Sequence, residues 1–167
     1  MIYLAGTEKD IDKMQLREYA LKRVLEPYLD NYDHILLDCP PNLDILTINA
    51  LAFSDYVCLV SESEHLSQLA LENSKVTIKQ IQKNVNKDLK IFGVIINRID
   101  PVTNHSKEIV KKIEEEYKDY HIFKVAKTVK IADCPKEELA SIVKVYPNHK
   151  SAKAFIEVAE VIINGKR

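Results

Sequence analysis

The stretch His34–Asn42, HILLDCPPN, places the tightest limit on the fold. Three consecutive aliphatic residues, Ile35, Leu36 and Leu37, run into Asp38, then a small residue, two prolines and an asparagine. Proline cannot donate to a sheet ladder, and Pro40 drives Cys39 away from helical angles. The run therefore predicts a fully buried strand that stops at Asp38 and turns sharply. A carboxylate at the carboxyl end of a buried parallel strand stands where open α/β sheets take their ligands.

The rest of the chain alternates in the same manner. Residues 1–7 read as a short strand ended by Gly6. Asp12 with Gln15 resembles a capping box, and Met14, Leu21, Leu25 and Tyr28 carry an amphipathic helix as far as the Asp30–Asn31 pair. Asn42 is the expected cap of a helix through about Ser54, apolar on nearly every side and so expected to be buried. Tyr56–Val60 reads as a second strand, completing a right-handed βαβ unit with the first. A long helix with Leu71, Ile78, Ile81 and Val85 on one stripe then ends in the turn from Asn84 to Asp88. Ile91–Asn97 predicts a third strand, running into Arg98, Ile99, Asp100 and Pro101. A helix over 105–119 turns Ile109, Val110, Ile113 and Tyr117 inward. His121–Val125 predicts a fourth strand, a short helix is expected near 136–140, and Ser141–Val145 a fifth strand. In the last helix Ala152, Phe155, Ile156, Ala159, Ile162 and Ile163 form a stripe, with Gly165 at the C-cap. The alternation describes one doubly wound α/β domain over residues 1–167, a mostly parallel sheet with helices on both faces.

Composition narrows the function. With 24 basic and 25 acidic residues the formal net charge is −1, so any binding to nucleic acid must come from a local patch. Cys39, Cys58 and Cys134 lack zinc-ligand spacing and read as reduced, buried thiols. No apolar run approaches the roughly 20 residues of a membrane span, and a soluble, cytoplasmic protein is expected. Only Gly6, Gly93 and Gly165 occur, so neither G-x-x-x-x-G-K-[ST] nor G-x-G-x-x-G is present to cradle a phosphate.

These residues carry a family resemblance. YDHILLDCPPNLDILTINAL resembles the second nucleotide motif of the ParA/Soj/MinD partition ATPases, deviant-Walker P-loop NTPases. FGVIINRID resembles the family's adenine-side strand, VTNHSKEIVKKIEEEY the helix after it, KVAKTVKIADCP the late basic loop, and YPNHKSAKAFIEVAEVI the closing helix. The match spans nearly the whole chain but only about the C-terminal two-thirds of a typical member. The resemblance implies an ATPase that dimerises around ATP and magnesium and binds DNA non-specifically. It further implies a ParB-like centromere-binding partner and a cytoplasmic, nucleoid-associated location without a membrane. It implies that Asp38, the Walker B acid, holds magnesium through water and is the catalytic carboxylate. Cys39, Pro40 and Pro41 match the turn that senses the γ-phosphate, and Asn97 matches the adenine contact. Lys127 and Lys130 match basic positions of the late, DNA-binding loop. The family's phosphate loop and signature lysines lie upstream of the matching region, so this polypeptide alone is expected neither to bind ATP tightly nor to hydrolyse it. The alternative is a non-catalytic ParA-like module that acts through dimerisation, DNA or a protein partner.

Plainer readings stand beside these. An acid at a strand end often only caps the next helix. Asp-Pro-Pro also occurs in amino-methylating DNA methyltransferases, but Cys39 intervenes here and no glycine-rich cofactor loop is present. Asn97 and Asp100 have N-x-x-D spacing, which is also ordinary turn chemistry. Lys111, Lys112, Lys150 and Lys153 alternate with glutamates, as on a solvated helix face. Asp133 and Glu137 near Cys134, and His65 near Glu62 and Glu64, have the composition of a surface rather than a metal site.

Overall fold

Three strands and seven helices follow one another in a computed structural model that describes residues 11, 15–40, 42–134 and 140–165. Two short 3-10 segments, Arg17–Tyr19 and Glu26–Asn31, flank α1 (Ala20–Leu25). They are followed by α2 (Ile45–Phe53), β1 (Tyr56–Glu62), α3 (His65–Asn84), β2 (Lys90–Ile99) and α4 (Asn104–Glu116). Then come β3 (His121–Ala126), α5 (Lys130–Asp133), α6 (Ile142–Val145) and α7 (Lys150–Asn164). The expected strand at 1–7, Asp12, Met14, Pro41, Glu137 and most of the helix expected near 136–140 lie outside the described residues.

The sheet has the order β1-β2-β3. β2 and β3 are parallel, paired from Gly93↔His121 to Ile96↔Lys124, with an irregularity before Ile99↔Ala126. Parallel neighbours need a crossover, and α4 supplies it. Its inward residues Ile109, Val110 and Ile113, with Tyr117 just beyond, are all buried, as are Val94, Ile96, Phe123 and Val125 of the strands. Gly93 lies directly against the backbone of β3. A Cβ built there would lie 2.5 Å from the His121 carbonyl oxygen, so no side chain fits without parting the strands.

The chain divides into two compact units, one taking in residues up to Val57 with Lys75–Lys90, the other Cys58–Ser74 and the residues from Ile91 onward. Polar side chains hold the first unit together. Asn49 is buried on α2; its Oδ1 accepts the Leu21 amide at 2.9 Å, and its Nδ2 donates to the Arg17 and Ile45 carbonyls at 2.8 Å each. Asn86 donates from Nδ2 to the Leu51 and Ser54 carbonyls at 3.0 and 2.8 Å, which satisfies the C-terminal end of α2. Tyr19 donates its hydroxyl to the Val85 carbonyl at 3.0 Å. In the second unit Ser151, fully buried at the start of α7, donates to the Ala126 carbonyl at 3.0 Å and ties that helix to the end of β3.

Several expectations need correction. Residues 32–40 form no strand, and Ile35 and Leu36 are exposed, Leu36 by 80%. An apolar run becomes a strand only through ladder bonds, and none of the three strands among the described residues includes it. Among the described residues the βαβ unit expected across residues 35–60 is therefore not seen. Asp44, not Asn42, caps α2: its Oδ1 accepts the Leu46 and Thr47 amides at 3.0 Å each, while the Asn42 carbonyl accepts the Thr47 hydroxyl at 2.8 Å. Ser141–Val145 is no strand. Ser141 caps a helical turn, its Oγ accepting the Lys144 amide at 3.4 Å, and this local bond outweighs the β-preference of Ile142, Val143 and Val145. The single helix expected over the Met14–Tyr28 stripe is broken into 3-10 and α segments, and Tyr28 is exposed. Burial along α7 favours its first turns, Ser151, Ala152 and Ala154, and leaves Phe155 and Ile163 exposed. Cys39 is exposed and Cys58 half-buried, and only Cys134 is buried; all three are free thiols.

Two outcomes follow from this packing. Gly93→Ala should lower unfolding stability by about 1–3 kcal/mol in urea titrations, because the new methyl meets backbone rather than a yielding side chain. The Thr47 amide first, and then the Leu46 amide, hold the Asp44 carboxyl below the usual carboxylate range. A lowered folded-state pKa gives stability that is complete above the unfolded value and is lost as pH falls through the folded one. Asp44→Asn keeps an acceptor oxygen that does not titrate, so its melting temperature should fall less than that of the wild type below about pH 4.

Candidate functional site

The segment expected to carry the catalytic acid belongs to the first unit. Asp38, Cys39 and Pro40 follow one another on an exposed stretch without ladder bonds, and Pro41 lies outside the described residues. The Cys39 thiol is pushed up from its ordinary range, first by local desolvation and then by the carboxylates of Asp38 and Asp44. The stretch between Asp38 and Asp44 is thus a locally negative environment. A carboxylate of this kind suits a hard cation that retains its waters, such as magnesium, which needs only one or two protein oxygens. Among the described residues no cluster of three His, Cys, Asp or Glu side chains is able to hold a metal directly.

The second unit holds a polar cleft of about 310 Å³ at the ends of its strands. Ser63 and Glu64 reach it from the end of β1, Arg98 and Asp100 from the end of β2, and Lys127 from the end of β3. Thr103, His105 and Ser106 reach it from the start of α4. The chain turns sharply here. Asp100 accepts the Val102 amide on Oδ1 at 2.9 Å and donates its own amide to the buried Ser106 Oγ at 3.2 Å. The Lys127 amide donates to the Ile99 carbonyl at 2.9 Å.

Arg98 is the unusual residue of this cleft. Its φ is +53°, in the left-handed region where a residue with a Cβ is strained by about 1–2 kcal/mol. Its Nη1 pairs with Glu62 Oε1 at 3.2 Å, but the two side chains are 60% and 38% exposed, and an exposed pair of this kind contributes little. Asn97, the expected adenine contact, is half-buried and accepts the Arg98 amide on Oδ1 at 2.9 Å. One acceptor position of its amide is therefore already used.

The two late lysines have different surroundings. Lys127 is exposed and lines the cleft. Lys130 is exposed at the start of α5, with its Nζ 4.7 Å from the centre of the Tyr146 ring, a cation–π arrangement. Its carbonyl accepts the buried Cys134 thiol at 2.9 Å. The structure thus brings Lys127 together with Arg98 and Asp100, and seats Lys130 on an aromatic. Sequence reasoning passed over Ser63, Arg98, Thr103 and Ser106. The N-x-x-D spacing pointed to the right turn, but nothing in a sequence marks an arginine that will take a positive φ.

Comparison with known proteins gives these features a context. A family profile described as AAA domain matches residues 1–91. The chain is 34% identical over 167 residues to the sporulation initiation inhibitor protein Soj of Bacillus subtilis, covering 98% of this chain and 65% of that one. It is 31% identical over 134 residues to the chromosome partitioning protein ParA of Myxococcus xanthus, covering 79% of this chain and 47% of that one. In structure it is similar to cobyrinic acid a,c-diamide synthase from Mycobacterium smegmatis with bound ATP analog and magnesium. The TM-score there is 0.73 at 28% identity, covering 96% of this chain and 59% of that one. The chain thus spans less than two thirds of the length of each of these relatives. The parallel sheet with helices, the family profile and the matches to Soj and ParA agree in one assignment: the chain belongs to the ParA/Soj/MinD family of partition ATPases.

Proposed function

We propose that this chain serves DNA partition as part of a ParA-like ATPase that dimerises around ATP, binds DNA non-specifically and answers to a ParB-like partner. The observation that carries the reading is the match to Soj along 98% of the chain, from the Asp38 segment to α7. In this reading Asp38 would hold magnesium through water, and the ion would supply positive charge beside the phosphates. Cys39, Pro40 and Pro41 form the turn that reports the γ-phosphate, where prolines limit the backbone to few conformations. Asn97 donates from Nδ2 to the adenine edge. Lys127 and Lys130 meet DNA phosphates, with Lys127 the more available of the two because the Lys130 ammonium already rests on Tyr146.

A second reading, a ParA-like module that works without catalysis, is favoured by one specific observation. The 167 residues contain three glycines and no glycine-rich phosphate loop. The encoding DNA separates the two readings, since an in-frame lysine-and-glycine phosphate loop upstream of Met1 removes the basis of the second.

Titration of the 167-residue chain with Mg-ATP in a calorimeter should give no micromolar isotherm, and a clear one would overturn the view that the phosphate loop must come from elsewhere. Replacing Lys127 and Lys130 together by Glu should weaken retention on DNA by the assembly that contains this chain, and should flatten its salt dependence. Retention and salt slope equal to wild type would remove the two lysines from the interface.

A further inference from the structure

We propose that the run Asp33–Asp38 is a self-pairing surface: two copies of the chain add it to one another as antiparallel strands across a two-fold axis, with Leu36 on the axis. The pairing needs no nucleotide and is separate from the ATP-dependent dimer of the proposed function.

The backbone supplies the first observation. Residues 32–40 belong to none of the three strands among the described residues, and Tyr32, Ile35 and Leu36 are exposed. Tyr32 already has extended angles, φ −138° and ψ 135°, where the chain enters the run. Pro40 has no amide to donate and ends any ladder on the other side. A short apolar run outside every ladder is a template for a strand from another chain.

Charge selects the partner and the register. The run reads Asp-His-Ile-Leu-Leu-Asp, with an acid at each end and one imidazole between them. Parallel, in-register pairing stacks Asp33 on Asp33 and Asp38 on Asp38. The antiparallel register centred between Ile35 and Leu36 sets Asp33 opposite Asp38 twice. Like charges directly opposite destabilise a pair, so both arrangements are disfavoured. One residue further along, Leu36 faces Leu36, Ile35 faces Leu37 and His34 faces Asp38, each repeated by the two-fold. The imidazole then donates to a carboxylate, and every aliphatic residue meets another. The registers on either side of these two set an acid opposite Leu37 or Ile35. Side chains alternate along a strand, so His34, Leu36 and Asp38 share one face and Ile35 and Leu37 the other, and the neighbours match on both. A run that is its own complement under a two-fold makes an interface that closes at two copies, so the occupant is a second copy of this chain.

Sedimentation of the 167-residue chain without nucleotide, from about 5 to about 500 µM, should show a monomer–dimer equilibrium with a dissociation constant on the order of 100 µM. Leu36→Lys brings two ammonium groups face to face and should weaken the dimer about tenfold. The melting temperature of the dilute chain should not change, because Leu36 is 80% exposed. His34→Asp should weaken the dimer, and His34→Asp with Asp38→His should restore it. In a Cys39→Ser background, Leu36→Cys should form a disulfide-linked dimer under mild oxidation and Ile35→Cys should not, since only position 36 meets itself. A chain that stays monomeric at the highest concentration overturns the proposal and leaves the run to a strand from elsewhere. A dimer indifferent to Leu36→Lys, no rescue by the exchanged pair, or linkage through Ile35→Cys as ready as through Leu36→Cys overturns it as well.

Discussion

The close approach of β2 and β3 at Gly93 is the constraint on which the second unit depends. Parallel strands without a shared hairpin are joined only by backbone hydrogen bonds and by the crossover helix packed over them. With His121 directly opposite and its carbonyl oxygen 2.5 Å from any added Cβ, the pairing register leaves room for a hydrogen atom alone. That register places Ile99 beside Ala126, so that the chain leaves both strands at the same level and Arg98, Asp100 and Lys127 arrive at one cleft. The buried Val94, Ile96, Phe123 and Val125, with Ile113 and Tyr117 from the α4 side, make the arrangement stable.

The first unit is ordered by a different means. α2 is too apolar to have a solvent face, and its polar exceptions carry the organisation: Asn49 binds the chain before and within α1, and Asp44 and Asn86 close the two ends of the helix. Directional bonds of this kind fix orientation where aliphatic packing alone would allow sliding, and removing one partner strands the other in a desolvated place.

What was legible in the sequence, and what was not, follows from this contrast. α3 and α4 were readable because one side of each is a continuous apolar stripe, Leu71, Ile78 and Ile81 in the first and Ile109, Val110 and Ile113 in the second, and all six are buried. The strands at 56, 90 and 121 were readable for the same reason. HILLD was misread because hydrophobicity states what a segment can bury, while a strand also needs a neighbour with matching donors and acceptors. Ser141 shows the opposite case, where one capping oxygen decides the local structure against the preference of the residues that follow. Asn97 lies near the end of β2 and Lys127 just after β3, whereas the positive φ of Arg98 falls at a sheet irregularity that no sequence pattern marks.

Cys39 makes the neighbourhood of Asp38 chemically audible. Its thiol is exposed, and it is held in the protonated form in part by the two carboxylates beside it. The thiolate is the reactive species, so a raised thiol of this kind should be slower toward alkylating reagents than an ordinary exposed one at neutral pH. The rate of modification at one native sulfur therefore serves as a gauge of the charge at the adjoining carboxylate, without a dye, a ligand or a mutation.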